Sequence, residues 1–380
     1  MAKKLGFGTM RLPLLDEQDQ ASIDIEQYCR MADLFVERGF TYFDTAWMYH
    51  NHNAEDAFRK AVSERLPRDK YTIADKMPTM MLYGPKAQEE IFEAQLKKLG
   101  VDVFDYYLIH NLNVDNYAEC LKYGTIEYVE EQKARGRIKH LGFSFHDNAD
   151  FLEMLLKKYP EMEFVQLQLN YLDWDNDAIQ SRRCYETARK YNKEIVVMEP
   201  VKGGVLAKLP PVAEKILRDI HPDWSPAEWA IKFAASLPGV RLVLSGMTSI
   251  EQLDENTAFL QDFVPLTDEE VQAVFKVRDI IMNDGSIPCT RCRYCVEANT
   301  CPMGIPIPDY FTLYNIDLLD VQNAATGWTP QEQYYGNMVG HGAGRASGCI
   351  GCRGCESVCP QHIKITEWME KVSKRFDSVT

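Results

Sequence analysis

The chain has 380 residues, of which 46% are hydrophobic and 26% charged, a composition typical of a globular protein with one large domain or two to three average ones. Its formal net charge of -14 argues against nucleic acid or an anionic membrane as the main partner. With no bilayer-length apolar run, lipidation signal or export segment in the sequence, we expect a soluble cytoplasmic protein.

The first part of the chain alternates short β-rich runs with amphipathic helical stretches. The candidate strands are Phe40–Phe43, Tyr71–Ala74, Tyr106–Ile109, His140–Phe143, Phe164–Leu169, Glu194–Met198 and Arg241–Leu244. Candidate helices between them are Asp24–Arg38, Glu89–Leu99, Ala118–Arg135, Asn176–Tyr191 and Pro226–Ser236. This alternation predicts βαβ crossovers and a parallel sheet.

Eight such units closing on themselves make a (β/α)8 TIM barrel, and a doubly wound open sheet is the alternative. The run Lys4–Arg11 would supply the remaining strand or a hairpin that plugs the barrel floor. No G-x-G-x-x-G motif opens an early helix, which disfavours a dinucleotide-binding Rossmann domain. We therefore expect the barrel.

The chain changes character after the expected barrel. Thr267–Asp284 is predicted to be one helix, because Thr267 and Glu270 have the spacing of a capping box. From Gly285 onward Cys, Gly and Pro become frequent and apolar periodicity fades; short helices are expected between 302 and 347, and Glu367–Phe376 is a terminal helix. No internal repeat is apparent. We predict a barrel over 1–265, a connecting helix over 266–284 and a C-terminal region over 285–380.

Four polar residues fall at or just after the ends of three consecutive candidate strands. They are Asp44 and Tyr49 in FDTAWMY, Lys76 in YTIADK and His110 in YYLIH. A barrel places its chemistry at the carboxyl ends of its strands, so we expect these side chains to meet on one face. Each alone is unremarkable, since a lone Asp is more often a cap and a lone Lys is usually solvated.

Two cysteine runs occupy the C-terminal region. Cys349, Cys352, Cys355 and Cys359 have the spacing C-x2-C-x2-C-x3-C-P, which is typical of bacterial iron–sulfur ligation. An upstream run has the same spacing until its last member, which follows after five residues: Cys289, Cys292, Cys295 and Cys301. Zinc fits less well because zinc ribbons use two widely separated pairs, and cytosolic disulfides are disfavoured.

We therefore predict a small, helical, ferredoxin-like domain with two [4Fe–4S] clusters. In two-cluster ferredoxins the fourth Cys of each run ligates the other cluster. Cys359 is accordingly expected with the first triplet, and Cys301 with the second.

The motifs FDTAWMY, ADK and LIH resemble those of the aldo-keto reductases, TIM-barrel enzymes that reduce carbonyls with NAD(P)H. The resemblance implies that Tyr49 is the general acid and that Lys76, paired with Asp44, lowers the pKa of its phenol. It also implies that His110 orients the carbonyl. The fusion to two cysteine runs resembles the iron–sulfur-containing subgroup of that family.

The same resemblance implies a set of nicotinamide dinucleotide contacts. They are Ser144, Gln166, Met198, Ser245, Gly246, Met247, Gln252, Glu255 and Asn256. Thr248 and Glu251 are expected to cap the helix that follows, leaving its N–H groups as an anion site. The family's Asn beside the Ser is Phe145 here, its stacking Tyr is Met198, and its two cations are Gly246 and Gln252. NADH is therefore at least as plausible as NADPH.

The sequence thus predicts an oxidoreductase that interconverts a carbonyl and an alcohol, with clusters that exchange electrons with a ferredoxin or a flavoprotein. One alternative is an electron-transfer protein whose barrel is only a docking body. Another is a nicotinamide-dependent reductase whose clusters, or a different metal, are structural. A hydride carries two electrons whereas a cluster carries one, so the link between the two halves is the open question.

Overall fold

The computed structural model describes residues 3–282, 287, 289, 293–297, 301–320, 327–359 and 361–377. Eight parallel strands close into a barrel in sequence order, as predicted. The strands are β1 Leu5–Gly8, β2 Tyr42–Asp44, β3 Thr72–Met77, β4 Phe104–Leu112, β5 Ile138–Phe145, β6 Phe164–Gln168, β7 Glu194–Met198 and β8 Val240–Ser245. β1 pairs with β2 and β8, so the early run supplies a barrel strand rather than a floor hairpin.

Helices cover the outside of the barrel and form most of the described part of the C-terminal region. Those of the barrel are α1 Ile25–Glu37, α2 Ala54–Phe58, α3 Pro85–Leu99, α4 Val114–Tyr123, α5 Thr125–Ala134, α6 Ala149–Lys158, α7 Ser181–Lys190, α8 Pro211–Arg218, α9 Pro226–Ser236, α10 Ile250–Gln261 and α11 Asp268–Met282. Those beyond it are α12 Tyr294–Glu297, α13 Ile307–Asp320, α14 Pro330–Gly340, α15 Gly354–Ser357 and α16 Ile365–Phe376. None of the described helices combines the length and apolarity that crossing a membrane requires.

Three predicted helices differ from those observed. One, α3, begins at Pro85, four residues before the predicted Glu89; backbone conformation explains the other two. The stretch predicted as Ala118–Arg135 is two helices, α4 and α5, because Gly124 has a left-handed φ of 65° that ends α4. The helix predicted from Asn176 begins only at Ser181, since Gln180 also has a left-handed φ, of 58°. The capping box at the start of α11 is confirmed, with Thr267 Oγ1 accepting from Glu270 N at 3.3 Å.

The barrel has the layered core that its alternating strands dictate. Aromatic and branched residues from several strands point inward and fill the barrel: Tyr42, Ala74, Tyr106, Leu108, Phe164, Val196, Leu242 and Leu244. Their neighbours along each strand face the helices and form a larger cluster that includes Phe7, Phe43 and the buried face of α11. Since this interior is filled, any ligand must bind at an end of the barrel.

β4 carries an irregularity next to the expected site. Its pairing with β5 shifts register between Ile109 and Leu112. Asn111 inside this step has a φ of 57°, a conformation that costs energy in a residue with a Cβ. The shift lies directly after His110, so it sets where that side chain points.

The C-terminal region has two halves, one for each cysteine run, and their backbones match beyond the shared cysteine spacing. Arg293 and Arg353, each following the second Cys of a run, both have left-handed φ values, of 63° and 58°. A four-residue helix follows each of them, α12 and α15 respectively. Each half then leads into a long helix, α13 or α16, through an Ile-x-Ile turn with a 2.9 Å backbone hydrogen bond. The described parts of the two halves therefore have the same backbone pattern.

The loops of the C-terminal region pack closely around Gly344. A Cβ added at Gly344 would lie 1.9 Å from the Met303 carbonyl oxygen, which is backbone and cannot move aside. Gly344→Ala is therefore expected to destabilise the C-terminal region by at least about 1–3 kcal/mol, the usual cost of overpacking. Urea unfolding and limited proteolysis measure this loss.

Gly348→Ala is the matched control for that substitution, because the nearest atom to a Cβ there is 3.9 Å away, at the end of the flexible Met303 side chain. Equal unfolding midpoints for the two variants would contradict the packing described here.

Candidate active site

A buried ion pair stands at the carboxyl ends of β2 and β3. Lys76 Nζ lies 2.5 Å from Asp44 Oδ1 and 2.6 Å from the Thr45 carbonyl oxygen. Both charged side chains are almost completely buried. Burial by itself would lower the pKa of Lys76, but Asp44 and Tyr49 raise it and the net direction is upward. Lys76 is therefore a fixed ammonium group at neutral pH.

Tyr49 lies beside this ammonium group. Lys76 Nζ is 5.3 Å from the centre of the Tyr49 ring. Burial raises the pKa of Tyr49 above its ordinary 10.0, Lys76 acts to lower it, and the carboxylates of Asp44 and Glu199 act to raise it. The expectation that Lys76 depresses the phenol pKa thus describes one contribution, and burial outweighs it. The phenol is a neutral hydrogen-bond donor at neutral pH.

His110 completes the group at the end of β4. Its ring centre is 6.4 Å from that of Tyr49, with the rings nearly perpendicular. Burial first, then Lys76 and His146, hold the pKa of His110 well below 6.5, so the imidazole is neutral. Its Nδ1 is buried with no hydrogen-bond partner in the described part of the chain. The ring as a whole also lines the cavity at this end of the barrel, where a ligand can contact it.

These side chains open onto one cavity of about 810 Å³ at the carboxyl end of the barrel. Asp44, Tyr49 and His110 line it, with Lys76 directly behind. Most of the expected nicotinamide contacts line it too: Ser144, Gln166, Met198, Ser245, Gly246, Gln252, Glu255 and Asn256. Met247 is the exception, because its side chain is fully buried in the core cluster between barrel and helices.

Several of the lining polar groups already have partners. Ser144 Oγ accepts from Asn111 N at 2.7 Å, and Gln166 Nε2 donates to Asp44 Oδ2 at 3.1 Å. Gln166 therefore also fixes the carboxylate that pairs with Lys76. Phe145, which stands where the family has Asn, is buried and stacks on Phe151 rather than facing the cavity.

The expected cap of α10 is wrong by one residue. Ser249, not Thr248, is the N-cap, and its side chain accepts from Gln252 N. Thr248 N instead donates to Gln252 Oε1 at 2.9 Å. Gln252 is thus held at the cavity edge by Thr248, although it remains exposed.

Two charged residues that were not predicted from the sequence, Arg11 and Glu199, also line the cavity. The Arg11 side chain stretches between Gly246 and Gly203, since a Cβ added at these glycines would lie 3.1 Å from its Cδ and 3.3 Å from its Nη2. Glu199 follows Met198 with a strained φ of 57°. Neither forms an ion pair with another described residue. The position of Arg11 directly after β1 was the one available signal.

The cysteines gather around two small cavities in the C-terminal region. Cys301 lines one together with Cys349, Cys352 and Cys355. Cys289 and Cys295 line the other together with Cys359. Cys292 lies outside the described residues. Ile307 and Ile365 line both cavities, so one layer of side chains separates them.

His110, near the end of β4, and His146, just after β5, both have a lowered pKa, which predicts that the free energy of unfolding depends on pH. Burial lowers the pKa of His146 from 6.5 to about 4. Between these values the unfolded chain binds protons that the folded chain refuses, so stability is fully present above pH 6.5 and falls as the pH drops toward 4. Urea unfolding across this window should show the slope, and His146→Gln should flatten it. An unchanged slope in that variant would contradict this assignment.

Comparison with known proteins agrees with the fold and identifies the family. The model of the Aldo/keto reductase family matches residues 4–279, and that of a 4Fe-4S dicluster domain matches residues 288–364. "Uncharacterized oxidoreductase YqkF" of Bacillus subtilis is 24% identical over 274 residues, covering 64% of this chain and 84% of that protein. The NADH-specific methylglyoxal reductase of Escherichia coli is 24% identical over 267 residues, covering 58% of this chain and 79% of that protein.

Solved structures give the same result. Aldo-keto reductase AKR11C1 from Bacillus halodurans, in its holo form, superimposes with a TM-score of 0.57 at 25% identity, covering 72% of this chain and 91% of that one. An aldo-keto reductase from Klebsiella pneumoniae in complex with NADPH has the same fold, with a TM-score of 0.57 at 20% identity over 73% of this chain and 96% of that one. Since the family model spans well over half of the sequence, this chain belongs to the aldo/keto reductase family of oxidoreductases, and its C-terminal region carries a 4Fe-4S dicluster domain.

Proposed function

We propose that this oxidoreductase interconverts a carbonyl and an alcohol with NAD(H) or NADP(H), and that two [4Fe–4S] clusters pass electrons to or from a ferredoxin or flavoprotein. In this proposal residues 1–265 form the catalytic unit, residues 266–284 join it to the rest, and residues 285–380 hold the clusters. The observation that carries the proposal is the convergence of Asp44, Tyr49, Lys76 and His110 on one cavity.

The proposed roles follow from the charge state of each group. Tyr49 is protonated at neutral pH and can donate its phenolic proton to a carbonyl oxygen as negative charge develops there. Lys76 stabilises the resulting phenolate, because its ammonium group is buried and held by Asp44. His110 is neutral and lines the same cavity, so its imidazole can donate a hydrogen bond to the same oxygen. In the oxidative direction the same groups work in reverse.

The cavity fits a nicotinamide dinucleotide, which would supply or accept the hydride when bound. Its volume of about 810 Å³ is within the range usual for cofactor sites. Ser144 and Gln166 retain hydrogen-bonding capacity for a carboxamide, since each uses only part of it within the protein. Arg11, beside Gly203 and Gly246, is the cation best placed to meet phosphate groups. This position supports binding of NADPH as well as NADH.

The C-terminal region fits two iron–sulfur clusters, which would exchange single electrons when bound. Thiols surround both small cavities, and both loops have the same left-handed turn after the second Cys. Such turns direct successive backbone N–H groups inward, toward negatively charged sulfides. We propose that Cys301 joins Cys349, Cys352 and Cys355, and that Cys359 joins Cys289, Cys292 and Cys295.

Titration of NADH and NADPH into the anaerobically purified protein, followed by nicotinamide fluorescence, tests the first half of the proposal. Carbonyl compounds are then screened for oxidation of the bound nucleotide. Micromolar binding and turnover of at least one carbonyl class are expected. Failure to bind either nucleotide would contradict nicotinamide-dependent reduction.

Cysteine substitution tests the second half. The protein is expected to contain about eight iron and eight sulfide per chain. Cys301→Ser should perturb the cluster of the second triplet and leave the spectrum of the first unchanged. Cys120→Ser, at a buried cysteine on α4, is the matched control and should leave both clusters intact. Zinc without acid-labile sulfide, or perturbation of the first cluster by Cys301→Ser, would contradict this assignment.

A further inference from the structure

The wall of the catalytic cavity is not built by the barrel alone. Trp328, Pro330 and Gln333 of the C-terminal region line the cavity together with Tyr49 and His110. These three residues lie at and just before the start of α14. The part of the chain that carries the cysteines therefore faces the same space in which the carbonyl chemistry is proposed.

Hydrogen bonds fasten α14 to the strand ends that carry the active-site groups. Gln333 and Asn111 exchange side-chain amide hydrogen bonds, directly after His110. Asn337 Nδ2 donates to the His146 carbonyl oxygen, two residues after Ser144. His341 Nε2 lies 2.8 Å from Asp147 Oδ1 in the same loop. The contacts follow one face of α14, at spacings of about one helical turn.

The start of α14 is also held from within the C-terminal region. Thr329 forms a capping box with Glu332, and Thr329 Oγ1 donates to Asp317 Oδ1 at 2.5 Å. Arg375 on α16 binds both carboxylates, at 2.7 Å from Asp317 and 2.5 Å from Glu332. The backbone that follows Trp328 is thus held both by the barrel and by α13 and α16, and the Trp328 side chain lines the cavity next to these contacts.

Three methionines contribute flexible apolar side chains to the same cavity. They are Met10, Met48 and Met80, from the segments after β1, β2 and β3. Met10 and Met80 are 47% and 38% exposed, and Trp328 is 46% exposed. Methionine side chains adapt to varied apolar shapes, and an indole offers a flat face for stacking. Exposed apolar groups gathered at a cavity mouth mark a binding surface.

We propose that the C-terminal region supplies the specificity wall of the substrate site: Trp328 selects carbonyl compounds with a flat, apolar, ring-bearing body, and Gln333 positions His110 through Asn111. This inference rests on the proposed carbonyl chemistry and adds its substrate class. The C-terminal region then contributes to substrate recognition by the barrel, and this role does not depend on electron transfer.

The test compares two probes with the full-length protein carrying its clusters: benzaldehyde, which has a flat ring, and methylglyoxal, which has none. Trp328→Ala should lower kcat/KM for benzaldehyde by on the order of tenfold, the cost of leaving one ring face in water, and leave that for methylglyoxal nearly unchanged. Trp328→Phe should restore most of the loss. Leu318→Ala, at an exposed apolar residue on α13, is the matched control.

Equal effects of Trp328→Ala on the two probes, or none on either, would overturn the proposal while leaving the carbonyl chemistry intact. Turnover of neither probe by the unmodified protein would also overturn it. Gln333→Ala should lower kcat more than it raises KM and Gln333→Asn should recover little, because the amide must reach Asn111. A change in KM alone in Gln333→Ala would show that Gln333 does not position His110. Iron content shows that each variant keeps its clusters.

Discussion

Replacing Tyr49 with Phe is expected to lower kcat for carbonyl reduction by about 10²-fold or more, while nicotinamide binding stays nearly intact. The hydroxyl acts only when the carbonyl oxygen takes a proton, and general acid catalysis of this kind contributes about 10²–10⁴. The ring itself, which lies 5.3 Å from Lys76 Nζ, is retained in the variant. Steady-state kinetics and nucleotide titration of the same preparation give both quantities.

Tyr28→Phe is the matched control for this loss. Tyr28 is a fully buried tyrosine on α1 whose hydroxyl has no hydrogen-bond partner in the described structure, and its ring packs on Phe7 in the core. Removing this hydroxyl should leave turnover unchanged. Near-normal turnover in Tyr49→Phe would show that the cavity works through a different acid.

Lys76→Met is expected to have the second largest effect, because it removes the cation from a buried pair. Asp44 would then be a buried carboxylate whose remaining side-chain partner is the Gln166 amide. Breaking such a pair costs about 3–5 kcal/mol in the free energy of unfolding. The Tyr49 phenol also loses the charge that stabilises its phenolate, so kcat should fall on the order of 10²-fold. Urea unfolding and kinetics measure the two losses separately.

The matched control for Lys76→Met lies in another buried ion pair, between Lys202 and Asp173. Lys202 Nζ lies 3.0 Å from Asp173 Oδ2, and both side chains are buried as completely as those of the first pair. Lys202→Met should therefore cost a similar free energy of unfolding but change kcat far less. If the two variants lost equal fractions of kcat, the role of Lys76 would be structural rather than electrostatic.

Most of the barrel could be predicted because strong local patterns specify it. The strand at Glu194–Met198 and the helix at Pro226–Ser236 have the predicted boundaries. Asp44, Lys76 and His110 were found by a rule that needs only strand ends, and barrel closure brings them together. The helix predicted over 118–135 is interrupted at Gly124, and the helix predicted over 176–191 begins only after Gln180. Both residues have a left-handed backbone, which hydrophobic periodicity does not predict.

Contacts between distant parts of the chain could not be predicted. Arg11 reaches Gly246 only because β1 pairs with β8, and Gln333 reaches Asn111 across 222 positions of sequence. The backbone match between the two halves of the C-terminal region could not be predicted in full either. Their last cysteines follow gaps of different length, although the turns after Cys301 and Cys359 close with similar hydrogen bonds, of 3.0 and 3.1 Å.

We propose that the barrel and the iron–sulfur clusters serve one redox reaction. Reducing a carbonyl to an alcohol takes two electrons and two protons, and two reduced clusters hold one electron each. To test this, the clusters are reduced anaerobically with dithionite, the reductant is removed, a carbonyl substrate is added without any nicotinamide dinucleotide, and the visible absorbance of the clusters is followed. We expect the clusters to reoxidise only when substrate is present, and Tyr49→Phe to slow this reoxidation. Clusters that stay reduced, together with full NADH-linked turnover in a Cys352→Ser variant, would contradict it.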